Sequence, residues 1–209
     1  KKLAGALLLM AQSGQYNYMR CLKHHETGAA QLAAVLDQGG VIAYPTESVF
    51  GLGCDPDSDD ALGRLLALKG RPSSKGMLVV CGDFREAEPY LDMDRVSPED
   101  MSFARECWQG FCTLLFPAGR KVSPLLRGEH DTLGVRICSH PLVRELCGVF
   151  GRPLVSTSAN LAGCPPCRTA SEVRGIFGSR LDAVAEGATL GLASPSPIID
   201  LRSRRILRN

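Results

Sequence analysis

Gly39-Gly-Val-Ile-Ala-Tyr-Pro-Thr-Glu-Ser-Val-Phe-Gly-Leu-Gly53 is the stretch that decides the fold. Two adjacent glycines stop whatever precedes them. The apolar run 41–44 has the length of a short strand, and Pro45 ends it because proline has no N–H to give to a ladder. The polar turn Thr46, Glu47, Ser48 leads into a second extended piece. Upstream, Ala29, Ala30, Leu32, Ala33, Val35 and Leu36 recur at helical spacing, which predicts an amphipathic helix over 28–38. Downstream, Asp57 or Ser58 caps a helix over 59–69 whose Leu62, Leu65, Leu66 and Leu68 form a buried face.

The rest of the chain keeps this rhythm. Residues 77–81, 112–116, 132–138 and 153–157 read as strands. Ser97-Pro98-Glu99-Asp100 combines a cap, a first-turn proline and two acids, and predicts a helix over 98–108. Residues 141–150 form a helix closed by Gly151, and Thr169 with Glu172 makes a capping box for a helix to about Phe177. Short extended pieces near 183–186, 198–201 and 205–207 finish the chain. Strands alternating with helices of about ten residues, without repeat or linker, predict one α/β domain with a layered sheet. With 209 residues, 44% of them apolar, there is enough material for a sizeable core.

Composition excludes more than it selects. A formal charge of +2 is too mild to diagnose nucleic-acid binding, and a basic end made by Arg202, Arg204, Arg205 and Arg208 also suits a solvated edge. Nine cysteines, an odd number scattered through apparent strands and helices, fit reduced thiols in a cytoplasmic protein better than a disulfide framework. Cys164-Pro-Pro-Cys167 is the one Cys-x-x-Cys pair; two prolines hold it extended, so it reads as structural and no metal site is expected. Lys1 and Lys2 before an apolar run over 3–11 resemble the start of a signal peptide, but no clear cleavage site follows. Residues 1–18 therefore read as a leader or poorly defined extension and 19–209 as the domain, with Met19 as its natural start.

Chemistry concentrates in Leu68-Lys-Gly-Arg-Pro-Ser-Ser-Lys-Gly-Met77, where Lys69, Arg71 and Lys75 fall within seven positions. Such a loop can wrap one polyanion, or it can be a helix end whose cations complement the dipole. The glycine fingerprints of dinucleotide and phosphate loops are absent, as is a Gly-x-Ser-x-Gly elbow. None of His24, His25, His130 and His140 has an obvious acidic orienter, and His140 reads as a helix-start residue. Polar loops after strands, at 46–48 and 158–160 beside the basic loop, predict a site in the crevice outside the carboxyl ends of the strands. Arg136, a lone cation in an apolar run, needs a partner: a bound carboxylate, or a protein acid such as Glu47.

Tyr44-Pro-Thr-Glu-Ser-Val-Phe-Gly-Leu-Gly53, Leu68-Lys-Gly-Arg-Pro72 with Lys75-Gly76, Val135-Arg136 with His140-Pro141, and Ser156-Thr-Ser-Ala-Asn160 with Pro165-Pro-Cys-Arg-Thr169 together resemble the Sua5/YrdC family. These are the threonylcarbamoyl-AMP synthases of tRNA modification. The resemblance runs from about Ala29 to Asp200 and is closest to the short, single-domain bacterial form. It implies a twisted mixed sheet with flanking helices around a concave, basic cavity. It also implies a nucleotidyltransferase that makes L-threonylcarbamoyladenylate and pyrophosphate from L-threonine, bicarbonate or CO2, and ATP, with Mg2+ accompanying ATP. By the same resemblance Lys69, Arg71, Ser158 and Asn160 line the ATP site, with Lys69 and Arg71 acting electrostatically and no protein nucleophile. Thr46 and Arg136 hold threonine; tRNA and a separate threonylcarbamoyl-transferase are the partners. Lys75 is added as a phosphate contact on its own chemistry. Two departures stand out: Trp108-Gln-Gly-Phe-Cys-Thr113 where the family usually reads Trp-Pro-Gly-Pro-x-Thr, and Pro197 where a threonine is common. The rival reading is a non-catalytic module of the same fold that binds double-stranded RNA or tRNA.

Overall fold

The computed structural model describes residues 28–208. The leader read over 1–18 and the start at Met19 lie outside the described residues, as do His24 and His25.

Helix α1 (Ala29–Asp37) leads into the hairpin β1 (Ile42–Pro45) and β2 (Phe50–Gly53), then α2 (Asp59–Lys69) and β3 (Leu78–Cys81). A four-residue helix α3 (Phe84–Ala87) precedes α4 (Pro98–Cys107), β4 (Thr113–Pro117), the short α5 (Pro124–Arg127) and β5 (Thr132–Ile137). Then come α6 (Pro141–Phe150), β6 (Leu154–Ser158), α7 (Ala170–Phe177), β7 (Ala183–Val184), β8 (Ile198–Asp200) and β9 (Ile206–Arg208). Four of the five long helices start on chemistry visible in the sequence; α1 starts at Gly28 without a side-chain cap. Ser58 accepts from the Ala61 amide, and Ser97 with Asp100 and Thr169 with Glu172 form reciprocal capping boxes. His140 is the N-cap of α6, with Pro141 behind it. What the sequence reading missed is short: α3, α5 and several 3-10 turns, one of them over Ser73–Lys75, inside the basic loop taken to be free of helix.

The nine strands form one mixed sheet in the order β7-β1-β2-β6-β3-β5-β4-β8-β9. β3 runs parallel to β5, β1 to β7 and β4 to β8; the other neighbours are antiparallel. One face is packed by α2, α4 and α7 against residues such as Leu52, Val79, Leu114, Val135 and Val155. On the other face α1 and α6 cover Ile42, Tyr44, Val80 and Leu154. Each large apolar side chain fully buried there contributes about 1.5–3 kcal/mol relative to exposure. The two helices stop short of β5, β4 and β8, and the uncovered half of that face is a cavity.

Candidate functional site in the uncovered half of the sheet

The cavity holds about 420 Å3. Its floor is a cross-strand row, because a strand sends alternate side chains to one face. Leu78 stands between Ser156 and Gly134, and Gly134 pairs in turn with Leu115. Thr113, Thr132, Arg136 and Ser158 continue the same face. The site therefore lies on the face of the sheet, which corrects the expectation of a crevice beyond the strand ends. The reason is topological: in a mixed sheet with antiparallel as well as parallel neighbours, carboxyl ends point both ways and no single edge collects the loops.

The walls are positive. Arg71, Lys75, Arg127, Arg136 and Arg208 line the cavity with His130, and among the described residues no Asp or Glu does. Arg71 and Lys75 belong to the basic loop, whose shape is held from within: Arg71 Nε donates to the Gly76 carbonyl at 3.0 Å and its Nη2 to that of Lys75 at 3.3 Å. This loop lies backbone to backbone on residues 126–129. The Met77 amide donates to the Leu126 carbonyl at 2.6 Å and the Glu129 amide to that of Ser74 at 3.1 Å. Two glycines permit the approach. Gly76 and Gly128 both have positive φ, and a Cβ on Gly128 would stand 2.4 Å from the Ser74 carbonyl oxygen. We expect Gly128→Ala to lower Tm by roughly 5 °C or more and to weaken polyanion binding together with it, since backbone strain of about 1–3 kcal/mol adds to the collision. Calorimetric melting of the variant, with and without pyrophosphate, measures both.

Of the residues expected at the ATP site, Arg71, Lys75 and Ser158 line the cavity, while Lys69 and Asn160 stand behind its wall. Lys69 is 6% exposed. Its ammonium donates to the Ser158 carbonyl, to the Asn160 carbonyl at 3.1 Å and to Asn160 Oδ1 at 3.0 Å. Ser158 Oγ donates to the same Asn160 Oδ1 at 2.6 Å. Burial first, and the charge of Arg71 second, push the Lys69 ammonium down to about 8. Lys69 thus ties the end of β6 to the basic loop.

Of the residues expected to hold threonine, Thr46 and Arg136 both line the cavity. Thr46 Oγ1 donates to the Val49 carbonyl at 2.7 Å across the β1–β2 turn, so toward a ligand it offers only lone pairs. Arg136 is 7% exposed, yet its guanidinium makes no hydrogen bond among the described residues, and its Nε is fully buried without a partner. Glu47, 2% exposed, comes within 3.7 Å of Nη2. The ring of Phe111, one of the residues that depart from the usual family text, lies 5.3 Å from the guanidinium carbon. Burial raises the Glu47 carboxyl, but the charge of Arg136 and the Ser139 amide outweigh it and hold the group below its ordinary range. Both alternatives for the lone cation therefore meet at Arg136: it has a protein acid beside it and free donors facing the cavity.

Arg127, His130, Ser196 and Arg208 were not anticipated as site residues. Arg208 sits in the edge strand β9 and donates to the Ser196 carbonyl at 3.2 Å. Burial, then the charges of Arg136 and Arg71, lower its pKa. Ser196 Oγ and Thr113 Oγ1 are 2.8 Å apart and the Thr113 amide donates to the Pro197 carbonyl, so Pro197 leaves that pairing intact. Two other tail arginines are structural: Arg204 pairs with Asp100 and packs on Phe103, and Arg202 donates to the Arg95 carbonyl.

Comparison with known proteins places the chain in a family. The family model for Sua5, YciO and YrdC proteins, described as telomere recombination, matches residues 34–209. The chain belongs to the Sua5/YciO/YrdC family. Two relatives named threonylcarbamoyl-AMP synthase, from Klebsiella pneumoniae and Vibrio parahaemolyticus, are 48% and 46% identical. The matches cover 86% and 85% of this chain and 94% and 96% of the relatives. Among solved structures, P. abyssi Sua5 complexed with L-threonine superposes with a TM-score of 0.77 at 28% identity, over 83% of this chain and 51% of that one. The mixed sheet with flanking helices is that of the Sua5/YciO/YrdC family.

The cysteines add one point. All eight described cysteines are free thiols, and Cys164 is exposed while Cys167 is buried. No described helix is long and apolar enough to cross a membrane.

Proposed function

We propose that this chain condenses L-threonine, bicarbonate or CO2, and ATP to L-threonylcarbamoyladenylate and pyrophosphate, for the N6-threonylcarbamoyladenosine modification of tRNA in the cytoplasm. One observation carries the reading: a 420 Å3 cavity with five cationic side chains, one of them a buried guanidinium with free donors, and no carboxylate side chain on its wall among the described residues. That volume suits a nucleotide and an amino acid side by side. A duplex-binding module would present its cations on an open surface along a phosphate backbone. The names of the relatives and the threonine bound by P. abyssi Sua5 support the same choice.

Threonine's carboxylate lies on Arg136, whose planar fork suits it, and its amine reaches the lone pairs of Thr46 Oγ1. The amine attacks CO2 and loses a proton to become a carbamate. A carbamate oxygen then attacks the α-phosphorus, the bond to the bridging oxygen breaks, and pyrophosphate leaves with the electron pair. Bicarbonate as the carbon source releases one water. No protein nucleophile is required; the protein holds two anions together and stabilises charge on the phosphates. Arg71, Lys75 and Arg208 take the phosphates together with Ser158, while Lys69 and Asn160 fix the loop on which Ser158 sits. Mg2+ would come with ATP, whose phosphate oxygens supply its donors. Among the described residues the cavity wall has no carboxylate side chain to share it, and no step is assigned to the metal. The product is an activated acyl adenylate, which a separate transferase must pass to tRNA.

A pyrophosphate-release assay tests the proposal. Turnover should require both threonine and bicarbonate, and release of pyrophosphate at the same rate without threonine would sink it.

A further inference from the structure

A buried arginine that must receive a substrate carboxylate faces two demands. It needs a counter-charge to be buried at all, and it must keep its own N–H groups free. Glu47 meets both. Its oxygens are already occupied: Oε1 accepts from the Ser139 amide at 2.7 Å and the Ser139 hydroxyl at 3.2 Å, and Oε2 from the Cys138 thiol at 3.2 Å. It approaches Arg136 only to 3.7 Å, an ion pair without a hydrogen bond. Glu47 is not part of the cavity wall, so a ligand meets Arg136 from the other side. Among the described residues Arg71, Lys75, Arg127 and Arg208 have no carboxylate partner, and Arg136 alone of the five cavity cations does.

That asymmetry has a chemical consequence. Polyphosphate and amino acid share one cavity, and a bare cation prefers the more highly charged ligand. We propose that Glu47 makes Arg136 selective: by partly cancelling its charge it weakens the pull on an anion in proportion to that anion's charge, so a polyphosphate settles on the cavity cations without a carboxylate partner and Arg136 is left to a singly charged carboxylate. This rests on the reading of Arg136 as the amino-acid subsite. Repulsion from a fixed negative charge grows with the charge on the ligand. At about 7 Å and an effective dielectric of about 20, it weakens binding by at least about tenfold per ligand charge. A carboxylate bears that penalty once; pyrophosphate bears it several times. Glu47 is thus a specificity residue acting through Arg136.

The test is calorimetric and kinetic competition on the whole chain. In the wild type pyrophosphate should compete with ATP and leave the apparent KM for threonine unchanged. In Glu47→Gln pyrophosphate should compete with threonine, with an inhibition constant at least about tenfold lower than in the wild type, while threonine itself binds no more weakly. Glu47→Asp, which keeps the charge, should restore the wild-type pattern, a rescue that a purely structural role does not predict. A folded Glu47→Gln in which pyrophosphate still ignores threonine, or in which threonine binds more weakly, overturns the inference. Should Glu47→Gln fail to fold, the wild type decides: acetate should displace threonine and sulfate should not, and equal displacement by sulfate overturns the inference. A wild type that binds no threonine overturns the functional reading and this inference with it. One that binds threonine but fails the selectivity arms overturns this inference alone.

Discussion

Arg136→Ala should abolish threonine-dependent pyrophosphate release, lowering kcat/KM for threonine by roughly a thousandfold, or about 4 kcal/mol, the loss typical of truncating one partner of a buried charge pair. Arg136 is 7% exposed, and its guanidinium carries a fully buried and unpaired Nε and has no hydrogen bond to the described protein. Its donors are unspent among the described residues and so available to a ligand. Removing it also leaves Glu47 buried beside no cation. Ser139 and Cys138 still bond its oxygens, so the carboxylate keeps partners but loses the charge that holds its pKa down. A drop in stability of about 3–5 kcal/mol should accompany the loss of activity. Arg136→Lys separates the two effects. It retains a cation against Glu47, so Tm should recover, but a lysine lacks the planar fork, so the KM for threonine should stay raised by tenfold or more. Direct titration with threonine, on variants shown to be folded by circular dichroism, provides the measurement. Normal threonine affinity in Arg136→Ala would remove the carboxylate subsite.

Lys69→Met should be the second large effect. The ammonium is the donor to three acceptors at once, the carbonyls of Ser158 and Asn160 and Asn160 Oδ1. Methionine fills the volume but removes this donor: the Ser158 carbonyl keeps the Asn160 amide and Asn160 Oδ1 keeps the Ser158 hydroxyl, while the Asn160 carbonyl is left without a partner. A stranded acceptor costs about 1–3 kcal/mol, and the loop relieves the cost by opening, which carries Ser158 away from the cavity. Turnover should fall about a hundredfold or more, chiefly through ATP. The pH dependence distinguishes Lys69 from ordinary lysines. Because its folded pKa lies at about 8, below the usual 10.5, the folded chain releases this proton first. Between pH 8 and 10.5 the unfolded chain holds one more proton than the folded one, so stability attributable to this site rises with pH across that window. Denaturant melts of wild type and Lys69→Met should therefore diverge in favour of the wild type from pH 8 upward. Binding of an ATP analogue should move the opposite way, weakening in the wild type as the charge is lost through about pH 8. A flat difference in both would mean that Lys69 titrates as a solvated amine.

Much of this was legible in the chain. Caps at Ser58, Ser97 and Thr169, the stop at Gly39 and Gly40, and the short apolar runs between them set the elements to within a residue or two. The burial of Lys69 was also readable: Leu62, Leu65, Leu66 and Lys69 recur at helical spacing, so the lysine lies on the buried face of α2 and not merely at its dipole. Arg127 and His130 left a weaker signal, a glycine between charged residues after a four-residue helix. Arg208 left none, because a terminal edge strand does not declare which of its faces is covered.

Local chemistry alone determined the helices, the strands, the hairpin turn at Thr46 and the concentration of charge at Lys69, Arg71 and Lys75. These depend on capping, periodicity and proline or glycine at neighbouring positions, interactions that span at most a few residues. Only the tertiary structure decided that the site is an uncovered sheet face and not a crevice at strand ends. It also decided that Lys69 turns inward and Arg208 joins from the far edge, and that Glu47 stands behind Arg136 without bonding to it. Each of these depends on which strands become neighbours and where two helices stop covering the sheet. Such long-range choices are set by the packing of the whole core and leave no periodicity in the chain.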